Sequence, residues 1–282
     1  MAVSTFLTRV RTAAWLGWQV ESNWADPTLF FVYLIARPLA TALTLAAMYW
    51  ATQGAASAGG AFAGFYVANA FHAYVNTVAV GMGWAMFEER EEFETLKYVY
   101  VSPMGLLTYL AGRAYVRFVL GSLSCGFLLL VGWFALGVRW DWAHVQALPL
   151  AASLLLGFTA SLAGGFLLAG FSMVLMRASM TVLDGAWLTM FLLSGVLFPP
   201  DLLPVWLRPL SFALPFTWWY EALRRFLLGT TSSATLARLS DAQLLGGLAL
   251  ATAAFALVSW RVFRAMEDRA RRLGRLDQTT MF

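Results

Sequence analysis

Charge is scarce in this sequence. Of its 282 residues only 12% are Asp, Glu, Lys or Arg, about half the share of an average soluble domain. With 60% hydrophobic residues and a mean hydropathy of +0.69, the chain has too few polar groups to cover a folded surface in water. That excludes an ordinary soluble globular protein and leaves lipid as the solvent for much of the chain. Cysteine is almost missing. Cys125 is single and sits in an apolar run, which excludes an intrachain disulfide and a four-cysteine metal site, and it reads as a small packing residue. No G-x-x-x-x-G-K-[ST] loop is present to cradle nucleotide phosphates. No HExxH, GxSxG, paired-carboxylate or nucleophile–base pattern lies within the apolar runs. The sequence also lacks a polar stretch long enough for a second domain.

What is present is a series of long apolar runs. A membrane span needs about 20 mostly apolar residues, and six runs qualify: 28–50, 62–84, 113–136, 148–175, 180–198 and 242–263. Before them, Val3, Phe6, Leu7, Val10, Ala14 and Trp18 recur at helical spacing. Thr5, Thr8, Arg9 and Thr12 lie largely opposite. This predicts an amphipathic helix within 1–26, lying on the membrane surface, rather than a cleaved signal peptide. Residues 54–61 (GAASAGGA) read as a flexible loop between the first two spans.

Lys and Arg set the orientation. With both termini in the cytoplasm, thirteen fall inside and five (Arg139, Arg208, Arg224, Arg225, Arg238) outside, with Arg37 in the first span. That bias predicts a multi-pass chain with its N- and C-termini cytoplasmic. The net charge of +4 reflects the arginine-rich tail and reads as topology, not nucleic-acid binding.

Residues 199–228 are apolar enough to enter a bilayer, but Pro199, Pro200, Pro204, Pro209 and Pro215 punctuate them. Proline removes a backbone donor and breaks helices, so a straight span is excluded. Re-entrant short helices dipping in from the outer face fit this pattern better than an interfacial loop carrying an aromatic belt (Trp206, Trp218, Trp219, Tyr220).

Inside the spans, polar residues are few. Asn69, His72 and Asn76 fall at i, i+3, i+7 of span two and share a face. Two readings stand: lining of a polar pathway, or interhelical hydrogen bonds worth roughly 0.6–2 kcal/mol each. Arg37, followed by Pro38, needs a partner at membrane depth, and Asp184 is the candidate on chemistry. A structural pair or an interfacial role for Asp184 is favoured over substrate binding. Gly157, Ser161, Gly165 and Ala169 recur every four residues of span four, a spacing that lets helices approach closely. Gly81 and Gly83 serve either the same end or a hinge.

The stretch at 88–104 is different in kind. Glu88, Glu89, Glu91, Glu92 and Glu94 are five of the fifteen acids in the chain. Arg90, Phe93, Leu96, Lys97, Tyr98 and Tyr100 interleave with or follow them, and Ser102-Pro103 offers a turn or a helix start. Acids are repelled by anionic lipid, and charge mixed with aromatics suits a protein partner.

These residues resemble the permeases of ABC-2 type exporters, which carry an E-R-E-x-G-T-L-E-x-L-x-x-S-P-like signature. The matching positions are Glu89-Arg90-Glu91, Thr95-Leu96 and Ser102-Pro103, with Glu94 standing where the family has glycine and the acidic block shifted by one residue. A second family pattern after span five is matched by Ser194, Gly195, Phe198, Pro199, Leu203, Pro204, Trp206, Leu207, Leu210, Leu214, Pro215 and Thr217. The resemblance covers the chain from the amphipathic N-terminus to span six.

The resemblance implies an all-α integral membrane protein that forms one permease domain over 1–282. It would have six spans, an N-terminal interfacial helix, and re-entrant helices between spans five and six. Two such permeases, identical or homologous, would pair in a bacterial-type inner membrane and dock a pair of cytoplasmic ATPases. ATP and Mg would be held by those ATPases, and no cofactor by this chain. Residues 88–104 would be the coupling region, with Glu89, Arg90, Glu91, Glu92, Glu94, Thr95, Leu96, Tyr98, Ser102 and Pro103 contacting the ATPase. Asn69, His72, Asn76 and Asp184 would be translocation-path candidates. Phe198, Pro199, Pro204, Trp206, Pro215 and Thr217 would be outer-gate candidates. Two other functions compete. An ion-driven transporter or channel would use His72, Asp184 and Arg37, and a lipid-modifying enzyme would need Glu221 with Asp201 or Arg224/Arg225.

Overall fold

The computed structural model describes residues 2–22, 26–53, 60–175 and 178–275. Among the described residues every regular element is helical. An α-helix satisfies its own backbone N–H and C=O groups, which hydrocarbon cannot do. In chain order the helices are α1 (Ala2–Ser22), α2 (Pro27–Gln53), α3 (Gly60–Tyr74), α4 (Gly81–Glu91), α5 (Leu96–Val101), α6 (Leu106–Ala135), α7 (Ala147–Leu175), α8 (Ser179–Leu193), α9 (Arg208–Ala213), α10 (Pro215–Leu228), α11 (Ala234–Ala237) and α12 (Asp241–Arg272).

Three of them, α6, α7 and α12, are long and apolar enough to cross a membrane. The other three expected spans are shorter or interrupted. Pro38 lies inside α2, whose apolar part is Pro38–Ala51. Span two is one rod from α3 to α4, but a π-helical stretch, Val75–Val80, separates them. The expected span at 180–198 stops at Leu193; its 15 residues reach only about 22 Å at ~1.5 Å per residue. Gly195 at φ +78° turns the chain there, and Pro199 and Pro200 prevent the helix from continuing. The 54–59 part of the expected loop lies outside the described residues.

Helix α7 sits at the centre of the bundle, and its small residues decide what lies against it. A Cβ added at Gly157 would overlap the Trp219 ring of α10, and one at Gly165 would overlap Met82 of α4. At Gly164 it would come within 3.1 Å of Ala79, and at Gly170 within 3.0 Å of the Phe263 backbone of α12. At Gly157 and Gly165 the expected spacing makes notches that large side chains of α10 and α4 fill, and the close approach to another helix's backbone falls at Gly170, against α12.

The N-terminal helix packs against α6. Gly112 of α6 admits the backbone of α1, where an added Cβ would fall 2.5 Å from the Ala13 carbonyl carbon. Trp15 and Trp18 face away and are exposed. One face of α1 is thus taken by protein.

The proline-rich segment is broken as its sequence expects. It forms a 3-10 turn, Pro200–Leu202, then the six-residue α9, then α10, with proline at or next to the first position of each. Gly229 at φ +66° closes α10 in a left-handed cap. Helix α10 is buried along nearly its whole length, among α3, α7 and α12.

Candidate functional site

Two regions gather the polar residues singled out by sequence. The first is the turn after α4. The backbone leaves the helix at Glu92 and reverses through Glu94, whose φ of +51° is the one positive value at a non-glycine residue among the described residues. This is the position where the related signature has glycine, and the left-handed conformation is the reason a glycine suits it. Thr95 then precedes α5, and its N–H donates to the Glu89 carbonyl at 2.9 Å.

The Glu89-Arg90-Glu91 triplet turns inward. Glu89 is 2% exposed, and its carboxylate accepts the hydroxyls of Thr95 and, from α6, Tyr109. Arg90 donates through Nε to Glu91 Oε1 at 2.9 Å and through one Nη to the Ser172 and Met173 carbonyls at 2.6 and 3.3 Å. Those carbonyls belong to the last turn of α7, where a cation opposes the helix dipole. Burial pulls the Arg90 guanidinium below its usual pKa, and Glu91 opposes that shift. Leu96 is buried as well.

Other residues of the same stretch face out. Glu92, Phe93, Glu94, Lys97 and Pro103 are exposed, Tyr98 is 65% exposed and Val101 83%. Ser102 donates to the Val99 carbonyl at 2.8 Å and forms, with Pro103, a turn before α6. The expected set of contact residues is thereby divided into an inner anchor and an outer face.

The turn is tied to three other helices. Arg113 and Arg117 of α6 bridge Glu88 of α4 to Glu21 of α1 at distances from 2.6 to 3.5 Å. Burial pushes the Glu88 carboxyl up, against the pull of Arg117, and Glu21 adds to the rise. On the other side, Tyr100 lies 3.4 Å from Glu267 of α12, with the Arg271 guanidinium 5.0 Å above its ring. Burial, helped by the charge of Glu267, raises the Tyr100 hydroxyl to about 12.

The second region is a small cleft, with a cavity volume of about 30 Å³, between α2, α3, α6 and α8. Asn69, His72 and Asn76 all line it, so the shared face read from their spacing is a real one. Thr41 and Pro38 of α2, Leu128 of α6 and Trp187 of α8 complete the wall. His72 Nδ1 lies 2.8 Å from the Tyr220 hydroxyl of α10. Asp184 is exposed on α8 and does not line the cleft, and the side chain of Arg37 lies outside the described residues.

The outer-gate candidates separate too. Pro204 and Trp206 are exposed, Phe198 and Pro199 half-buried, and Pro215 and Thr217 buried, with Thr217 donating to the Ser211 carbonyl at 2.6 Å. Glu221, Asp201, Arg224 and Arg225 do not assemble into an enzymatic site. Glu221 accepts from Ser232 and Ser233, Asp201 from Thr235, and Arg225 donates to the Leu236 and Leu239 carbonyls. Among the described residues no group of three metal-ligating side chains occurs.

Sequence reasoning missed Tyr109, Tyr220, Arg113 and Glu267. Each acts on a partner at least 20 residues away. No local pattern marks such a pair.

No curated protein matches the chain. The sequence model of a family described as ABC-2 type transporter matches residues 10–228, from α1 through the end of α10 and so across both polar regions. An all-helical chain with apolar helices of membrane-crossing length, matched to that description over most of its length, belongs to the ABC-2 type transporter family.

Proposed function

We propose that this chain is the permease subunit of an ATP-driven exporter. Two copies, or this chain and a homologue, form the translocation path in a bacterial-type inner membrane, and a pair of separate cytoplasmic ABC ATPases drives them. Each permease crosses six times with both termini inside, and α9 and α10 re-enter from the outer face. The single observation that carries this reading is the outward face of the 92–101 turn. Phe93, Tyr98 and Val101 are exposed between Glu92, Glu94 and Lys97 at a helix end, uncovered by the other described residues. Exposed aromatics set among charges suit a protein partner.

Force applied to that face has a rigid route inward. The face is continuous with Glu89, Arg90 and Leu96, which are buried against α6 and α7. Pressing on α5 therefore moves α4 and the two long helices together.

The test is copurification with a candidate ABC ATPase in mild detergent. Tyr98→Ala combined with Val101→Asp removes the proposed contact without touching the buried anchor. Loss of the ATPase, with the permease still inserted and monodisperse, is the expected result. Copurification and ATP-dependent transport that both survive the change overturn the coupling assignment. Transport into ATP-free vesicles under an ion gradient marks an ion-driven transporter instead.

A further inference from the structure

One face of α12 changes character along its length. Leu250, Leu257, Arg261, Arg264 and Asp268 recur at i, i+7, i+11, i+14 and i+18, so they share a stripe, and all five are exposed. Val258 and Trp260 flank the stripe and are exposed as well. The helix starts at Asp241, behind the Ser240 capping box. From there to Trp260 it runs about 28 Å at ~1.5 Å per residue, against roughly 30 Å of hydrocarbon. The part before Trp260 thus has the length of one crossing. Trp260 falls at the far boundary, and Arg261 and Arg264 fall at headgroup depth.

The two arginines are oriented but unused. The Arg264 guanidinium lies 4.8 Å from the centroid of the Trp260 ring, and that indole packs edge-on against Phe166 of α7. Stacking holds the guanidinium plane and leaves its N–H edges free. The ion pair of Arg264 with Glu267 spans 3.7 Å, too long for a hydrogen bond, and Glu267 already accepts from Arg271 at 2.5 Å. Arg261 makes no hydrogen bond or ion pair among the described residues. Asp268 is the acid of the stripe. It stands four residues before the exposed Arg272, whose charge offsets it, so the face keeps a net positive charge.

We propose that this face of α12 docks an anionic phospholipid. Arg261 and Arg264, one turn apart, receive the headgroup phosphate, Trp260 sits at the level of the glycerol esters, and the acyl chains lie along Leu257 and Val258. Charge selects the lipid. A zwitterionic headgroup brings its own cation, which the two guanidiniums repel, whereas an anionic one brings none. The occupant is a lipid because the arginines continue an apolar face of membrane-crossing length. The proposal rests on the reading that α12 ends in the cytoplasm, where the inner leaflet supplies anionic lipid. Glu267 lies between Arg264 and Tyr100 of α5, so the headgroup site adjoins the turn proposed to meet the ATPase.

The experiment uses the full chain in phosphatidylcholine nanodiscs and two photoreactive probes, a phosphatidylglycerol and a phosphatidylcholine that share one diazirine-bearing acyl chain. Crosslinked residues are mapped by mass spectrometry. The phosphatidylglycerol probe is expected to label 257–264 more strongly than the phosphatidylcholine probe, by about tenfold or more. Unlabelled phosphatidylglycerol should displace it. Arg261→Gln and Arg264→Gln should each lower the labelling about fivefold, and Arg261→Lys, which keeps the charge, should retain it. Arg139→Gln removes the same charge from an exposed site after α6 and should leave the labelling unchanged. Equal labelling by the two probes shows lipid contact without recognition and overturns the proposal. Equal losses in Arg139→Gln and Arg261→Gln show an effect of net charge alone and overturn it too. The probe comparison on the unaltered chain decides the matter even if a variant fails to fold. Protease access to the C-terminus in intact cells reads the orientation separately. No preference between probes with the C-terminus inside sinks this proposal alone, while a preference with the C-terminus outside sinks that topology and leaves the lipid site.

Discussion

Arg224 and Glu221 stand one turn apart on α10, both buried, with Nη1 3.4 Å from Oε2. Arg224 also donates to the Gly64 carbonyl of α3 at 3.0 Å, the Gly195 carbonyl after α8 at 2.5 Å and Ser232 at 2.9 Å. Glu221 accepts from the N–H and the hydroxyl of Ser232, both at 2.8 Å. One ion pair thus ties α10 to α3, to the turn after α8 and to the loop that leads to α12.

Removing one member of this pair leaves a buried charge alone. Arg224→Met is expected to destabilise the protein by about 3–5 kcal/mol, and Arg224→Met with Glu221→Met by clearly less. Thermal unfolding in detergent, read as a double-mutant cycle, checks this. A double variant as unstable as the sum of the singles contradicts it.

Glu94 adopts a left-handed backbone, at a position where a β-carbon costs about 1–2 kcal/mol. Glu94→Gly should relieve about 1 kcal/mol of local strain and slow hydrogen exchange over 92–96. Glu94→Val should do the reverse, because a β-branched residue fits that region poorly.

The Glu89 carboxylate relies on two hydroxyls. Tyr109→Phe removes one of them and keeps the ring, at an expected cost of about 1.5–3 kcal/mol for a hydrogen bond to a buried charge. The measurement is limited proteolysis within 92–101, which should quicken in the variant. An unchanged rate means that the turn does not depend on this anchor.

Gly157 faces the Trp219 ring with no room for a side chain. Gly157→Leu should push α10 from its site and abolish a monodisperse peak in size-exclusion chromatography. Pairing it with Trp219→Ala, which frees a comparable volume, should restore much of the peak. Failure of the pair to recover would place the fault elsewhere in α7.

Several features were legible because they are local. The helix breaks at 199–215 follow from prolines, which act on their own backbone. The shared face of Asn69, His72 and Asn76 follows from helical periodicity, and the notches at Gly157 and Gly165 from the absence of a β-carbon. The early end of α8 was hidden, because 194–198 is apolar and hydropathy does not sense the left-handed turn at Gly195. The π-helical stretch was hidden as well. Its residues, Val-Asn-Thr-Val-Ala-Val, carry no breaker, and the insertion answers to packing against neighbouring helices.

The acidic turn shows the division most clearly. Composition and motif marked 88–104 as unlike the rest of the chain, since five acids beside aromatics are visible in any linear reading. Which of them face inward was decided by contacts with Tyr109, Ser172 and Met173, far away in the chain. By itself the sequence determined the solvent, the helical class, the places where helices break and the family, because these depend on composition and on neighbours within a turn or two. Only the tertiary structure decided that Glu89 and Arg90 are anchors while Tyr98 and Val101 are surface, and that His72 is held by Tyr220. A polar side chain in an apolar bundle takes its role from whichever partner the packing brings within about 3 Å.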